Sequence, residues 1–183
     1  PVRRLPSPPA GTEPAREPAE LPPAIRLRLD PSQMQKIVKD GAVDDRFLAE
    51  LASKATDGDL DRKNAVNGFL LAAAYEARQD HMSEASRWAE EAVRVDSYDP
   101  NALLLASQIA LSLRNYNLAL QHMLVAYGNE PESADVLTLL GDAYYFSQGP
   151  DRAVRFWKLA EVQRPDPMLE DRIQRAEKEA EVE

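Results

Sequence analysis

Apolar positions recur at helical spacing along most of this chain, and the elements they predict come in pairs. Residues 31–55 read as two helices. Pro31 and Ser32 suit a helix start, and Val43, Phe47, Leu48 and Leu51 share one face of a second helix over 44–54. The polar cluster Thr56-Asp57-Gly58-Asp59 ends that pattern. From residue 60 the pattern becomes periodic. Ala85, Ala119 and Ala153 follow a 34-residue period, and so do Ala92, Ala126 and Ala160. Pro131 and Pro165 keep the same spacing, with Ser97 at the matching earlier place. Three markers at one period define a repeat of two antiparallel helices and a short turn. Small alanines let the two helices approach closely. Proline ends the second helix, because it lacks the backbone donor and disfavours helical geometry in its predecessor. One such pair cannot bury its own apolar face, so the units must stack.

Residues 1–30 follow a different rule. Nine of the chain's 14 prolines fall within residues 1–31, which excludes a helix or a central strand over 1–24. An extended, polyproline-like segment there would reach roughly 70 Å. Ala24-Ile25-Arg26-Leu27-Arg28-Leu29 then alternates apolar and basic residues, as a strand does. It reads either as an extended lead-in packed on the domain or as a segment that docks on a partner. At the other end, Leu169, Ile173 and Ala176 recur at helical spacing within 167–183, opposite a charged face. That is the pattern of a solvating C-terminal cap.

The repeated residues resemble the tetratricopeptide repeat, a 34-residue helix–turn–helix. In the third unit Leu137, Leu140-Gly141, Tyr144, Ala153, Trp157, Ala160 and Pro165 fall on the family's pattern, with Leu137 in place of its tryptophan. In the second, Leu103, Ala106, Ala110, Ala119, Met123, Ala126 and Pro131 take those places. That unit departs at Ala106-Ser107 and Ala110. The first carries Leu71-Ala72 and Tyr75, with a turn through His81-Met82 that looks one residue too long and its closing proline displaced to Pro100. The resemblance implies an all-α superhelix. Three repeats over 59–166 would lie between an N-terminal helical cap at 31–58 and a C-terminal capping helix at 167–183, after the Pro-rich segment at 1–30.

The resemblance also implies a site. In the family, the first helix of each unit lines the concave face and contacts the ligand. The positions carried over are Asn101, Leu104, Leu105, Gln108, Leu111 and Ser112 in the second unit. In the third they are Asp135, Thr138, Leu139, Asp142, Tyr145 and Phe146. With the first-unit register open by one residue, Phe69, Leu70, Ala73 and Ala74 are candidates there. Family members that clamp a C-terminal carboxylate use Lys, Arg and Asn at places held here by Leu105, Asp135 and Leu139. No cation stands among these positions, so the expected ligand is an apolar helix or extended peptide. The chain's own segment 21–29 is an alternative occupant.

Composition narrows the function further. The formal net charge of −9 disfavours nucleic acid. The longest apolar runs are far short of the ~20 residues of a membrane span. There is no cysteine, and therefore no disulfide or thiolate site. His81 and His122 are the only imidazoles and read as ordinary surface or partly packed residues. Asp57-Gly58-Asp59-Leu60-Asp61 starts like a calcium loop but has Arg62 and Gly68 where Gly and Glu are required. Helix capping by Asp59 or Asp61 accounts for it better. No phosphate-binding loop or nucleophile motif occurs. The expectation is a protein with no catalytic, cofactor or metal site that binds a protein or peptide. Arg-rich, Lys-poor usage fits a bacterial source, and the Pro-rich lead suits a tether to an upstream anchor in an envelope-associated, periplasmic assembly. The alternative is a self-assembling repeat protein that forms an oligomeric scaffold.

Overall fold

The structure, a computed structural model, describes residues 53–54 and 61–180. The Pro-rich lead, the helices expected over 31–55 apart from residues 53–54, Asp59 and the last three residues lie outside that range. The described chain forms seven helices: α1 Arg62–Arg78, α2 Met82–Val95, α3 Pro100–Ser112, α4 Tyr116–Asn129, α5 Ala134–Gln148, α6 Pro150–Gln163 and α7 Pro167–Ala180. No strand occurs among the described residues. Each helix packs on the next, and α1, α3 and α5 also touch in succession. The fold is an all-α helical repeat.

Local chemistry sets the helix ends. The Asp61 carboxylate accepts a hydrogen bond from the Asn64 backbone at 3.1 Å, and Asp99 does the same for Ala102 at 2.9 Å, with Pro100 in the first turn. Both caps satisfy donors that a helix start leaves unpaired. The Arg62 guanidinium donates to the Val95 carbonyl and pairs with Asp96, each at 3.0 Å, tying the start of α1 to the end of α2.

The turn in the first unit is not too long. The ends of α1 and α3 are one 34-residue period apart, and so are the starts of α2 and α4. Both turns close in the same way. Asp80 and Arg114 take left-handed φ values of 63° and 58°. The following amides of His81 and Asn115 donate back to Glu76 and Ala110 at 3.0 and 2.8 Å. This Schellman geometry usually places glycine at the left-handed position. Without that glycine the turn is hard to recognise. The third unit is the different one, with a single Gly149 at φ 97° between α5 and α6.

The core runs through the pairs as successive clusters, bridged by half-buried Val93, Tyr127 and Phe156. Val66, Phe69, Leu70 and Leu71 of α1 meet Ala92 and Ala102. Leu103, Met123, Val136 and Leu140 carry the core through α3, α4 and α5. Leu137 and Trp157 then meet Leu169, Ile173 and Ala176, the apolar face of α7. All six period-marking alanines are essentially inaccessible, as close helix approach demands. One pairing shows size compensation. Gly141 lies against Trp157, so close that a Cβ would sit 2.3 Å from the indole Cδ1. One repeat earlier the matching residues are Ser107 and Met123, and two repeats earlier Ala73 and Ala89. Only the Gly141–Trp157 pair sets the smallest of the three first-helix residues against the largest of the three partners.

Candidate functional site

α1, α3 and α5 together form the inner face of the array. Between them lies an open groove of about 430 Å³, lined by Leu70, Ala74, Asn101, Leu104, Leu105, Gln108, Asp135, Thr138 and Leu139. The repeat explains this convergence. Leu70, Leu104 and Thr138 are one position of successive units, and Ala74 and Gln108 are another. The leucines have their flanks in the core, with Leu104 and Leu139 against the α3–α5 cluster and Leu105 against that of α1. Their remaining surface makes the floor. Asn101, Gln108 and Asp135 bring polar atoms to the edges.

Seven of the twelve carried-over positions therefore converge on this groove, and five do not line it. Leu111 packs against the core cluster of α3, α4 and α5. The Ser112 hydroxyl donates to the Gln108 carbonyl at 3.0 Å at the end of α3. Phe146 stacks on Tyr116, with ring centroids 5.1 Å apart, near the end of α5 remote from Asp135. Asp142 and Tyr145 are engaged by α7. Asp142 accepts a hydrogen bond from the Trp157 indole at 2.9 Å and pairs with Arg172. Burial pushes its carboxyl above the usual carboxylate value, and the pairing with Arg172 and the hydrogen bonds from Arg172 and Trp157 oppose that shift. Tyr145 lies against Trp157 and donates to Glu179 at 2.7 Å. That hydrogen bond, burial and the nearby charge of Glu179 push its phenol up. In the first unit Leu70 and Ala74 line the groove, whereas Phe69 is core, stacked on Trp88 at 5.9 Å, and Ala73 is core beside Ala85 and Ala89.

Cations do reach this face, from helices that the repeat pattern did not assign to it. Arg164, just past α6, pairs with Asp135, and Arg172 of α7 pairs with Asp142 and lies 4.5 Å from the Trp157 ring centre. Each is matched to a carboxylate, so the groove carries no unpaired positive charge among its lining residues. The only sign of these pairs in the sequence is an arginine a little less than one repeat after an aspartate.

The two histidines serve the fold. His81 is exposed and bonds Glu76 at 2.9 Å. His122 is buried, beyond the surface or partly packed role expected of it, and bonds Glu90 at 2.8 Å, joining α4 to α2. Among the described residues no group of three His, Asp or Glu side chains is placed to hold a metal ion, and no helix is long and apolar enough to cross a membrane.

No protein-family model matches the chain, and no curated protein sequence matches it. Solved structures of MamA are similar in fold. The structure described as MamA AMB-1 aligns with a TM-score of 0.63 and 15% identity, over 81% of this chain and 79% of that one. The structure described as MamA MSR-1 aligns with a TM-score of 0.61 and 14% identity, over 81% and 83% of the two chains. The likeness is one of fold, and together with the 34-residue period it supports an all-α helical-repeat fold.

Proposed function

We propose that the chain is a non-catalytic interaction scaffold that holds an apolar segment of a partner protein, helical or extended, in the groove of α1, α3 and α5. One observation carries this reading. Four leucines and Ala74 surround an open volume that the packing of the chain leaves unfilled, and the single carboxylate among the lining residues is already paired. Contiguous exposed apolar surface of this kind marks a contact site. Each ~100 Å² of apolar surface buried there would contribute about 2.5 kcal/mol gross, part of which association costs offset. The resemblance to tetratricopeptide repeats supports the same face. In this reading the Pro-rich lead tethers the array within a bacterial envelope-associated assembly.

The test is selection of displayed peptides on the full chain, followed by fluorescence anisotropy. Ala74→Trp fills the groove and Leu139→Glu charges its floor. Both variants should keep their helical signal and bind the selected apolar peptides at least tenfold more weakly. Peptides that bind wild type and both variants alike would place recognition elsewhere.

A further inference from the structure

The outer face of the array carries a second surface of different character. α4 contains no Asp, Glu, Lys or Arg over its 14 residues, in a chain of which 29% of residues are charged. Its counterparts in neighbouring units do not share this. α2 exposes Glu84, Arg87 and Arg94, and α6 exposes Arg155 and Lys158. The residues that α4 turns outward include Asn117, Gln121, Leu124 and Val125, with Leu124 45% and Val125 39% exposed. α6 adds Leu159 at 43% and Val162 at 80%, the turn after α2 adds Tyr98, and the first turn of α7 adds Met168. These six are most of the large apolar side chains exposed among the described residues. They belong to the second helices α4 and α6, to the turn after α2 and to the first turn of α7.

Gly128, in the last turn of α4, adds an independent observation. A Cβ built there meets nothing within 4 Å. Glycine weakens a helix relative to alanine, and nothing among the described residues requires it at this place. A glycine on an outward helix face does allow another backbone to come close.

We propose that a second copy of this chain packs on α4, about a two-fold axis running along that helix. The exposed parts of the six apolar side chains amount to roughly 600 Å² per copy. Two copies would then bury about 1,200 Å², the lower end of what a stable specific interface needs. A strip depleted of charge is what an interface core requires, and it lets two chains of net charge −9 touch without opposing like charges. An axis along α4 also sets α2 of one copy opposite α6 of the other, bringing Glu84 towards Arg155. The groove lies on the opposite face, so this inference stands or falls independently of peptide binding.

Sedimentation equilibrium over about 1–500 µM tests it, with an expected monomer–dimer Kd in about the micromolar range. Val125→Glu should raise the Kd at least tenfold. Gly128→Ala should raise both the Kd and the Tm, whereas damage to the fold would lower the Tm. The chain has no cysteine, so Gln121→Cys with a short bis-maleimide reports α4 meeting α4 directly and should yield a covalent dimer. A chain that stays monomeric throughout overturns the proposal, even if α4 takes up some other protein. So does self-association that Val125→Glu and Gly128→Ala leave unchanged.

Discussion

Replacing Gly141 by alanine probes a helix contact that leaves no room for a Cβ. The added Cβ would lie 2.3 Å from Trp157 Cδ1 and 2.4 Å from Nε1, where carbon contacts settle near 3.5–4 Å. The indole must therefore move by more than about 1 Å. It is poorly placed to do so. It is 2% exposed, donates to Asp142 at 2.9 Å and to the Thr138 carbonyl at 3.2 Å, and is flanked by Tyr145 and Arg172. Overpacking of this kind costs about 1–3 kcal/mol. Weakening the indole hydrogen bonds adds about 0.5–1.5 kcal/mol each. The better helix propensity of alanine returns about 1 kcal/mol. The net expectation is a loss of about 2–3 kcal/mol, or about 5–10 °C in Tm for a domain of this size. Urea and thermal unfolding followed by circular dichroism would measure it. The Ser107–Met123 pair supplies a control. Gly141→Ser combined with Trp157→Met transplants that pair and should lose less than the sum of the two single changes. A neutral or stabilising Gly141→Ala, or a double variant additive within about 0.5 kcal/mol, would refute the size-compensation argument.

Four further outcomes follow from the same geometry. Arg114→Gly relieves a left-handed residue at an exposed turn and should stabilise by up to ~1 kcal/mol, read as a higher urea midpoint. Asp99→Ala removes the α3 cap and should cost ~1 kcal/mol, seen as a lower Tm with unchanged helical content. Asp142 has its carboxyl raised by burial, so the folded chain holds that proton more tightly than the unfolded one. Its contribution to stability is present below the ordinary carboxylate value and is lost as pH rises through the raised one. Asp142→Asn removes that slope and should gain on wild type with rising pH across this acid window. Melts in which the gap narrows as pH rises would contradict the assignment. Tyr145→Phe keeps the ring against Trp157 and loses the bond to Glu179; because that bond is exposed, the Tm should shift by less than about 2 °C.

The repeat was legible in the sequence because its physics is local. An alanine recurring once per repeat marks where two helices must touch, and each marked alanine is buried. The groove was partly legible for the same reason. Helical period fixes which side chains share a face, and Asn101, Leu104, Leu105 and Gln108 do share one with Asp135, Thr138 and Leu139. The first-unit register was obscured at Asp80, a left-handed residue that is not glycine. Its turn is the same length as the one at Arg114.

The sequence by itself thus determined the all-helical repeat, its period and the small residues at its closest contacts, since each follows from spacing and side-chain size along one or two helices. Only the tertiary structure decided what covers each face. Arg172 and Glu179 bring α7 over Asp142 and Tyr145, Arg164 reaches Asp135 from the end of α6, and α4 is left with an uncharged outer face. Helical period says which residues point the same way. Which helix comes to lie against them depends on how successive pairs stack, and so on contacts between side chains nearly a full repeat apart in the chain.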